Sequence, residues 1–384
     1  MKRAITLAGG GPAAGLHIGA LQRLGEAGIT FDVWALSCIG AWVGIVYNQC
    51  DRGWEIEQTY DFFKNNVFRD DVSYSRFPIN RAFGPDWFGN MRALMTYVSD
   101  HRSYENLWLP DQIIESYKGT LALLLDPHKW NEGDINQWFL NHALAPNPFV
   151  RHLTSLMYLS NVTGLSRIYY PDSTFLKRID FGRLNEASRP TIIHNAWNLN
   201  RKKLQLFSNR GNKYKPITAE SLCACSALPF IEATVDLEGD TYCEGALIDT
   251  VNFKKLLQDH PDLDEIWVSR IVDAQQVRKP QNLHDSLANL CQLFAATVGE
   301  DDVRLFEHHV KKKKEWRGTI IEIGVDSKIN FNWSHDNLEQ GRDRGYAAAA
   351  KAYKKYLKKT GGKRNKTGQV KIIRAVYRAG YSRA

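Results

Sequence analysis

Three short segments of the sequence carry residues whose types and spacing suit covalent chemistry on a carbonyl group, or the holding of an anion. The first is Gly9-Gly10-Gly11, set between a strand-like run and a helix. Glycines there let the backbone turn tightly and present unobstructed N–H groups, which together with a helix N-terminus hold a phosphate or an oxyanion. Alone, such a run is a common strand-to-helix turn. The second is Leu36-Ser37-Cys38-Ile39-Gly40-Ala41-Trp42, again a strand end entering a helix. That is the shape of a nucleophile elbow, which lifts a reactive side chain above a sheet on a sharp turn. Gly40 lies two residues after Cys38, where close packing of the helix is needed, whereas Ile39 stands at that offset from Ser37. The tip is therefore Cys38, with Ser37 as the alternative in a slipped elbow. The third is Tyr242-Cys243-Glu244-Gly245-Ala246-Leu247-Ile248-Asp249-Thr250-Val251-Asn252, with a carboxylate after a strand-like run and before a glycine. Glu244 can reach across to the elbow.

The elements that must position these residues follow from periodicity. Arg3 to Ala8 reads as a buried strand and Pro12 to Ala27 as a helix; Phe31 to Ser37 and Ile39 to Cys50 repeat the pair. Two strand-turn-helix units in succession predict a largely parallel sheet covered by helices. Residues 51 to 166 change texture, with dense aromatics such as Trp54, Phe62, Trp87, Trp130 and Trp138 at helical spacing. They predict a helical insertion over one end of the sheet, a cap or lid, whose aromatics either line a pocket or simply pack. Strand signals return at Pro190 to Leu199, Lys203 to Phe207, Glu265 to Arg270 and Thr319 to Val325, and a last helix covers Ser334 to Lys358. There are no internal repeats.

Composition narrows the function classes. The chain has 384 residues, 43% of them hydrophobic, enough for a full core. Its net charge of +8 is unevenly placed: residues 351 to 384 hold twelve Lys or Arg and no acid, leaving 38 basic against 42 acidic residues elsewhere. The main domain is thus expected over 1–350 and a basic tail over 351–384. Such a tail is either a solvated end or a docking site for an anionic membrane or an acidic acyl carrier protein. Nucleic acid is not expected, because the body is acidic. The six cysteines, Cys38, Cys50, Cys223, Cys225, Cys243 and Cys291, form neither a disulfide framework nor zinc knuckles. No His, Cys or carboxylate cluster has metal-ligand spacing, so neither metal nor cofactor is expected. The N-terminus lacks a signal-peptide pattern, and no stretch approaches the ~20 apolar residues of a spanning helix. The expected location is the cytoplasm, with membrane association only through the tail.

At this point the sequence resembles the patatin-like phospholipase family. The resemblance rests on Leu7 to Gly11 running into His17-Ile18-Gly19-Ala20-Leu21, on Trp34 to Gly44, and on Ile192 to Phe207. It continues through Ser221 to Phe230 and Glu244-Gly245-Ala246, and covers roughly residues 3 to 255. It implies a three-layer α/β fold, a mostly parallel sheet with helices on both faces. It also implies a histidine-free nucleophile–carboxylate dyad acting on lipid esters. Cys38 stands where the family has serine, Leu36 where it has the elbow's first glycine, and Glu244 where it has aspartate. Ala13 replaces the usual Arg or Lys after the glycines.

Cysteine and glutamate still make a coherent pair. A thiol ionises near ~8.5, far below a serine hydroxyl, so the carboxylate base has less to do. The helix N-terminus at the elbow is expected to lower the thiol further and the carboxylate to raise it. The implied activity is acyl hydrolysis or acyl transfer from a lipid ester or acyl thioester through a Cys38 acyl-enzyme. Glu244 acts as base, and Gly9, Gly10, Gly11 and Ile39 form the oxyanion hole. The alternative is an inactive fold that binds lipid or acyl groups. His17 is read as packing or capping, Asp249 as a turn-former, Asp301-Asp302 as helix capping, and His308-His309 as a solvated face.

Overall fold

The computed structural model describes residues 1–76, 80–82, 84, 87–105, 109–160, 162–167, 174–211, 213–253, 255–270, 272–277, 279–313, 316–325, 331–365 and 369–378. Met1–Gly84 and Ser166–Ala384 form one compact unit, Pro85–Leu165 a second.

The first unit is built on strands β1 (Arg3–Leu7), β2 (Val33–Leu36), β3 (Thr191–Asn198), β4 (Lys203–Ser208), β5 (Val235–Leu237), β6 (Asp240–Glu244), β7 (Glu265–Arg270), β8 (Thr319–Val325) and β9 (Lys371–Tyr377). Helices α1 (Ala14–Glu26), α2 (Ile39–Gln49), α3 (Ala219–Ser226), α4 (Leu283–Lys313) and α5 (His335–Thr360) accompany them. The sheet runs β9-β8-β7-β1-β2-β3-β4, parallel from β9 to β3, with β4 antiparallel to β3. A mostly parallel sheet needs cover on both faces, and β2, β7 and β8 are buried along their whole length. Alternation along each strand divides the core. Ile5, Leu7, Trp34, Leu36 and Trp267 join a cluster with α1, α2 and α5, while Ala4, Val33, Ala35, Ile266 and Val268 join one with α4. This is the mixed α/β architecture expected of the sequence.

One topological detail sets the site. β3 pairs with β2 over Thr191 to His194, where β2 ends and the chain turns into α2. Further along the same strand, Ala196 to Asn198 pair with β6, antiparallel, with Ala196 opposite Glu244. β6 thus carries Glu244 to the end of the sheet where the elbow lies.

The basic end of the chain is structured over much of its length. α5 runs to Thr360 and stops at Gly361 in the left-handed conformation, φ 62°. Beyond it, Lys371–Tyr377 adds β9 to the sheet edge, with Ile373 and Ala375 buried and Arg374 exposed. A short alternating apolar run sits inside a strongly basic composition, which is why composition alone describes it as a tail.

The second unit is helical, with helices at Trp87–Ser99, Pro110–Leu125, Glu132–Trp138 and Pro148–Leu159. Asn131 and Asn147 cap two of these by accepting backbone N–H bonds. The aromatic helix Glu55–Asn66, within the sequence span assigned to the insertion, belongs to the first unit, where Phe63 is fully buried.

Candidate active site

Cys38 occupies the junction of β2 and α2 with φ 50° and ψ −125°. A side chain at positive φ is strained, and it persists where its surroundings over-determine it. Two contacts do so here. The Cys38 N–H donates to the sulfur of Cys225 at 3.2 Å. Gly40 lets α2 press onto β1: a Cβ there would lie 2.2 Å from the Leu7 carbonyl oxygen. Leu36, at the position where the family carries glycine, is accommodated from the other direction. Its Cδ1 would lie 2.6 Å from a Cβ on Gly44, one turn beyond Gly40 on the same helix.

Ser37 is fully buried and gives its hydroxyl to Asn195 Oδ1 at 2.8 Å. It has no access to a substrate, and the slipped-elbow alternative has no support in this geometry. Cys38 itself is half-buried.

Glu244 is the last residue of β6, buried, with its N–H on the Ala227 carbonyl at 2.9 Å. Its carboxyl acts electrostatically on the Cys38 thiol, and each group shifts the other. Burial pushes the Glu244 carboxyl up to about 7, opposed by the neighbouring thiol. Burial, then the Glu244 charge, pushes the Cys38 thiol well above its ordinary value, and only the Ile39 N–H at the start of α2 works the other way. The helix N-terminus therefore does not win, because desolvation outweighs a single backbone donor. The resting pair is a protonated thiol held by a carboxyl group poised between its two states near neutral pH. It suits proton transfer during attack, not a preformed thiolate.

The glycine loop is pinned at its base. Ala8 donates its N–H to Ser269 O at 3.3 Å, and its carbonyl accepts from His17 Nε2 at 2.9 Å. Since a carbonyl only accepts, Nε2 carries the proton and Nδ1 accepts from the Ser269 hydroxyl at 2.9 Å. Burial lowers His17 to about 4, so the ring stays neutral. Gly9 lies against Cys38: a Cβ on it would be 3.1 Å from Cys38 Cβ and 3.0 Å from Ala246 Cβ. Its N–H is committed to Thr250 O at 3.3 Å. Among the described residues, the N–H groups of Gly10 and Gly11 have no hydrogen-bond partner. Of the four backbone groups named from the sequence, Gly9 is thus an anchor, and Gly10, Gly11 and Ile39 remain as donors.

In the turn after Glu244, the sequence singled out Asp249, while the bonds made by its neighbours emerge only in the fold. Asp249 caps that turn by taking the Asn252 N–H at 2.6 Å, in keeping with its reading as a turn-former. Its carbonyl accepts the Asn195 amide at 2.7 Å, while the Asn252 amide reaches Leu36 O at 3.2 Å and Ile193 O at 3.3 Å. Asn195, Cys225, Thr250 and Asn252 carry no motif. Only the polar Asn195 inside an apolar strand offered a signal. Among the described residues, no group of three or more His, Cys, Asp or Glu is arranged to hold a metal ion. No helix there is long and apolar enough to cross a membrane.

The model of the family described as patatin-like phospholipase matches residues 5–257, a span that includes the glycine loop, the elbow and Glu244. No curated protein matches the sequence. Among solved structures, VipD from Legionella pneumophila is similar at 14% identity and a TM-score of 0.40. That match covers 92% of this chain and 66% of VipD, so this chain spans just under two thirds of that protein.

Proposed function

The chain belongs to the patatin-like phospholipase family, and from that premise we propose that it hydrolyses or transfers acyl groups through a thioester on Cys38. The electrostatic pairing of the Cys38 thiol at the elbow with the buried Glu244 carboxyl carries this reading. As Sγ attacks the donor's carbonyl carbon, Glu244 takes the thiol proton. The oxyanion forms against the N–H groups of Gly10, Gly11 and Ile39. When the intermediate collapses, Glu244 returns the proton to the leaving oxygen or sulfur, and the acyl group stays on Cys38. Water or an acceptor alcohol, deprotonated by Glu244, then attacks the thioester, and the Cys38 sulfur leaves and is reprotonated.

A thiolate is a better leaving group than an alkoxide. The intermediate from an oxygen ester therefore tends to expel Cys38 again, whereas exchange with a thioester donor is nearly balanced. An acyl thioester is accordingly favoured as donor, with lipid esters as slower substrates. The basic face of α5, with exposed Lys354, Lys358 and Lys359, suits docking to an anionic membrane or an acidic acyl carrier protein.

One observation favours a second reading, an acyl- or lipid-binding protein without turnover: burial holds the thiol protonated. Intact mass measurement after incubation with acyl thioesters and activated esters, followed by peptide mapping, decides between them. An adduct on Cys38, absent in Cys38→Ala and slow in Glu244→Gln, supports acyl transfer. No adduct and no turnover from any donor supports binding alone.

A further inference from the structure

An acidic contact reaches the site from α4, a helix outside the elbow, the base strand and the glycine loop. The Asp302 carboxylate on that helix accepts the Thr250 N–H at 2.7 Å and the Val251 N–H at 3.4 Å. These residues belong to the turn that follows Glu244, and that turn is bonded to each remaining part of the site. Thr250 O receives the Gly9 N–H at 3.3 Å. The Thr250 hydroxyl returns to Ala246 O at 2.5 Å, fixing the turn to the residue that packs on Gly9. Asp249 O takes the Ser37 hydroxyl at 3.4 Å, directly beside the nucleophile in sequence.

We propose that Asp302 is a positioning residue for acyl transfer: it clamps the Thr250–Val251 turn, and through the Thr250 carbonyl it holds the glycine loop against Cys38. The inference rests on the acyl-transfer reading of Cys38, and it replaces the sequence expectation that Asp302 caps a helix. Asp302 lies within α4, and its carboxylate serves another segment's backbone.

The electrostatic setting makes this clamp responsive to pH. Burial, then the Asp249 charge, with Asp301 adding to it, pushes the Asp302 carboxyl upward; the two backbone N–H groups oppose them. Glu300, also on α4, is paired with Arg304. From β7, Arg270 lies 3.7 Å from a Cβ position on Gly299, but it is held by Glu322 and Asp273. An ionised carboxylate is the stronger acceptor, so the clamp tightens as Asp302 loses its proton. Burial raises the Glu244 carboxyl in the same direction.

Two variants test the clamp. Asp302→Ala removes the acceptor, and Asp302→Asn keeps the shape without the charge. Hydrogen exchange in Asp302→Ala is expected to quicken roughly ten- to a hundredfold at Gly9, Thr250 and Val251, the loss of one charge-assisted hydrogen bond, while β7 and β8 keep parent rates. Acylation of Cys38 should slow by a similar factor at saturating donor, with half-saturation unchanged. In the parent, the logarithm of the acylation rate should rise with pH more steeply below neutrality than in Asp302→Asn, because one of two ionisations is gone in the variant.

Unchanged exchange at Gly9 and Thr250 in Asp302→Ala overturns the clamp without any donor present. Faster exchange with parental acylation rate and pH slope makes Asp302 merely structural and overturns the positioning role. A parent that forms no adduct, with exchange quickened in Asp302→Ala, overturns the acyl-transfer reading and the positioning role with it, leaving only the clamp.

Discussion

The backbone N–H of Cys38 is hydrogen-bonded to the sulfur of Cys225, at the end of α3. That buried thiol therefore ties the elbow tip to α3 and withdraws the Cys38 N–H from the donors available to an oxyanion. Cys225→Ala leaves the Cys38 N–H without that acceptor and is expected to cost about 1–3 kcal/mol. Cys225→Ser restores an acceptor and should recover part of the loss. Urea unfolding of the two variants checks this, and equal stabilities would mean that the sulfur only fills space.

Glu244 links stability to activity with a definite sign. Its folded-state value, about 7, lies above its ordinary 4.5. An acid raised in this way contributes stability that is fully present below pH 4.5 and is lost as pH rises through about 7, because ionisation then favours the unfolded chain. The shift corresponds to at most roughly 3 kcal/mol. Glu244→Gln removes the ionisable group, so the variant should gain on the parent between pH 5 and pH 8 in urea unfolding, while its acylation rate becomes low and keeps only the pH dependence that Asp302 supplies. A parent whose stability advantage over Glu244→Gln grows toward pH 8 would contradict the burial that raises the carboxyl.

Leu36 and Gly44 form a compensating pair. Leu36 is fully buried, and a Cβ on Gly44 would fall 2.6 Å from its Cδ1 and 2.7 Å from its Cδ2. Gly44→Ala should cost about 1–3 kcal/mol by overpacking. In the Leu36→Ala background the same change should cost little, because the obstructing methyls are gone. A double-mutant cycle measures this, and additive costs would show that the two sites do not share the space.

The sequence made the strand-turn-helix repeats and the three chemical segments readable because each has a local signature. Gly40 is legible as elbow packing because the constraint lies between neighbouring elements and demands a residue without Cβ. Glu244 is legible because a carboxylate before glycine is a short motif. Cys225, Asn195 and Asp302 were not, since each acts on backbone groups far away in the chain. The direction of the Cys38 shift was also out of reach, because it depends on how deeply the thiol and Glu244 are buried together. The same blindness to long-range pairing hid β9 inside a basic composition.

That last point changes how the basic end should be tested. Deleting residues 361 to 384 would remove β9, its ladder on β8, and buried Ile373 and Ala375. It would also strip the carbonyls that receive Lys351 Nζ, at Val376 O and 2.7 Å, and Lys355 Nζ, at Arg374 O and 2.5 Å. The expected cost is on the order of 3–6 kcal/mol, and the uncovered β8 edge would favour aggregation. Lost binding in such a truncation would say nothing about charge. Replacing exposed Lys354, Lys358 and Lys363 with Glu avoids this, since exposed positions of this kind shift stability by only about 0.5 kcal/mol. If the basic face docks on an anionic surface, the triple variant should lose sedimentation with vesicles containing anionic lipid, keep its parental unfolding midpoint, and still acylate Cys38 from a soluble donor. Parental sedimentation in the triple variant would remove the basic face from any account of where this protein meets its substrate.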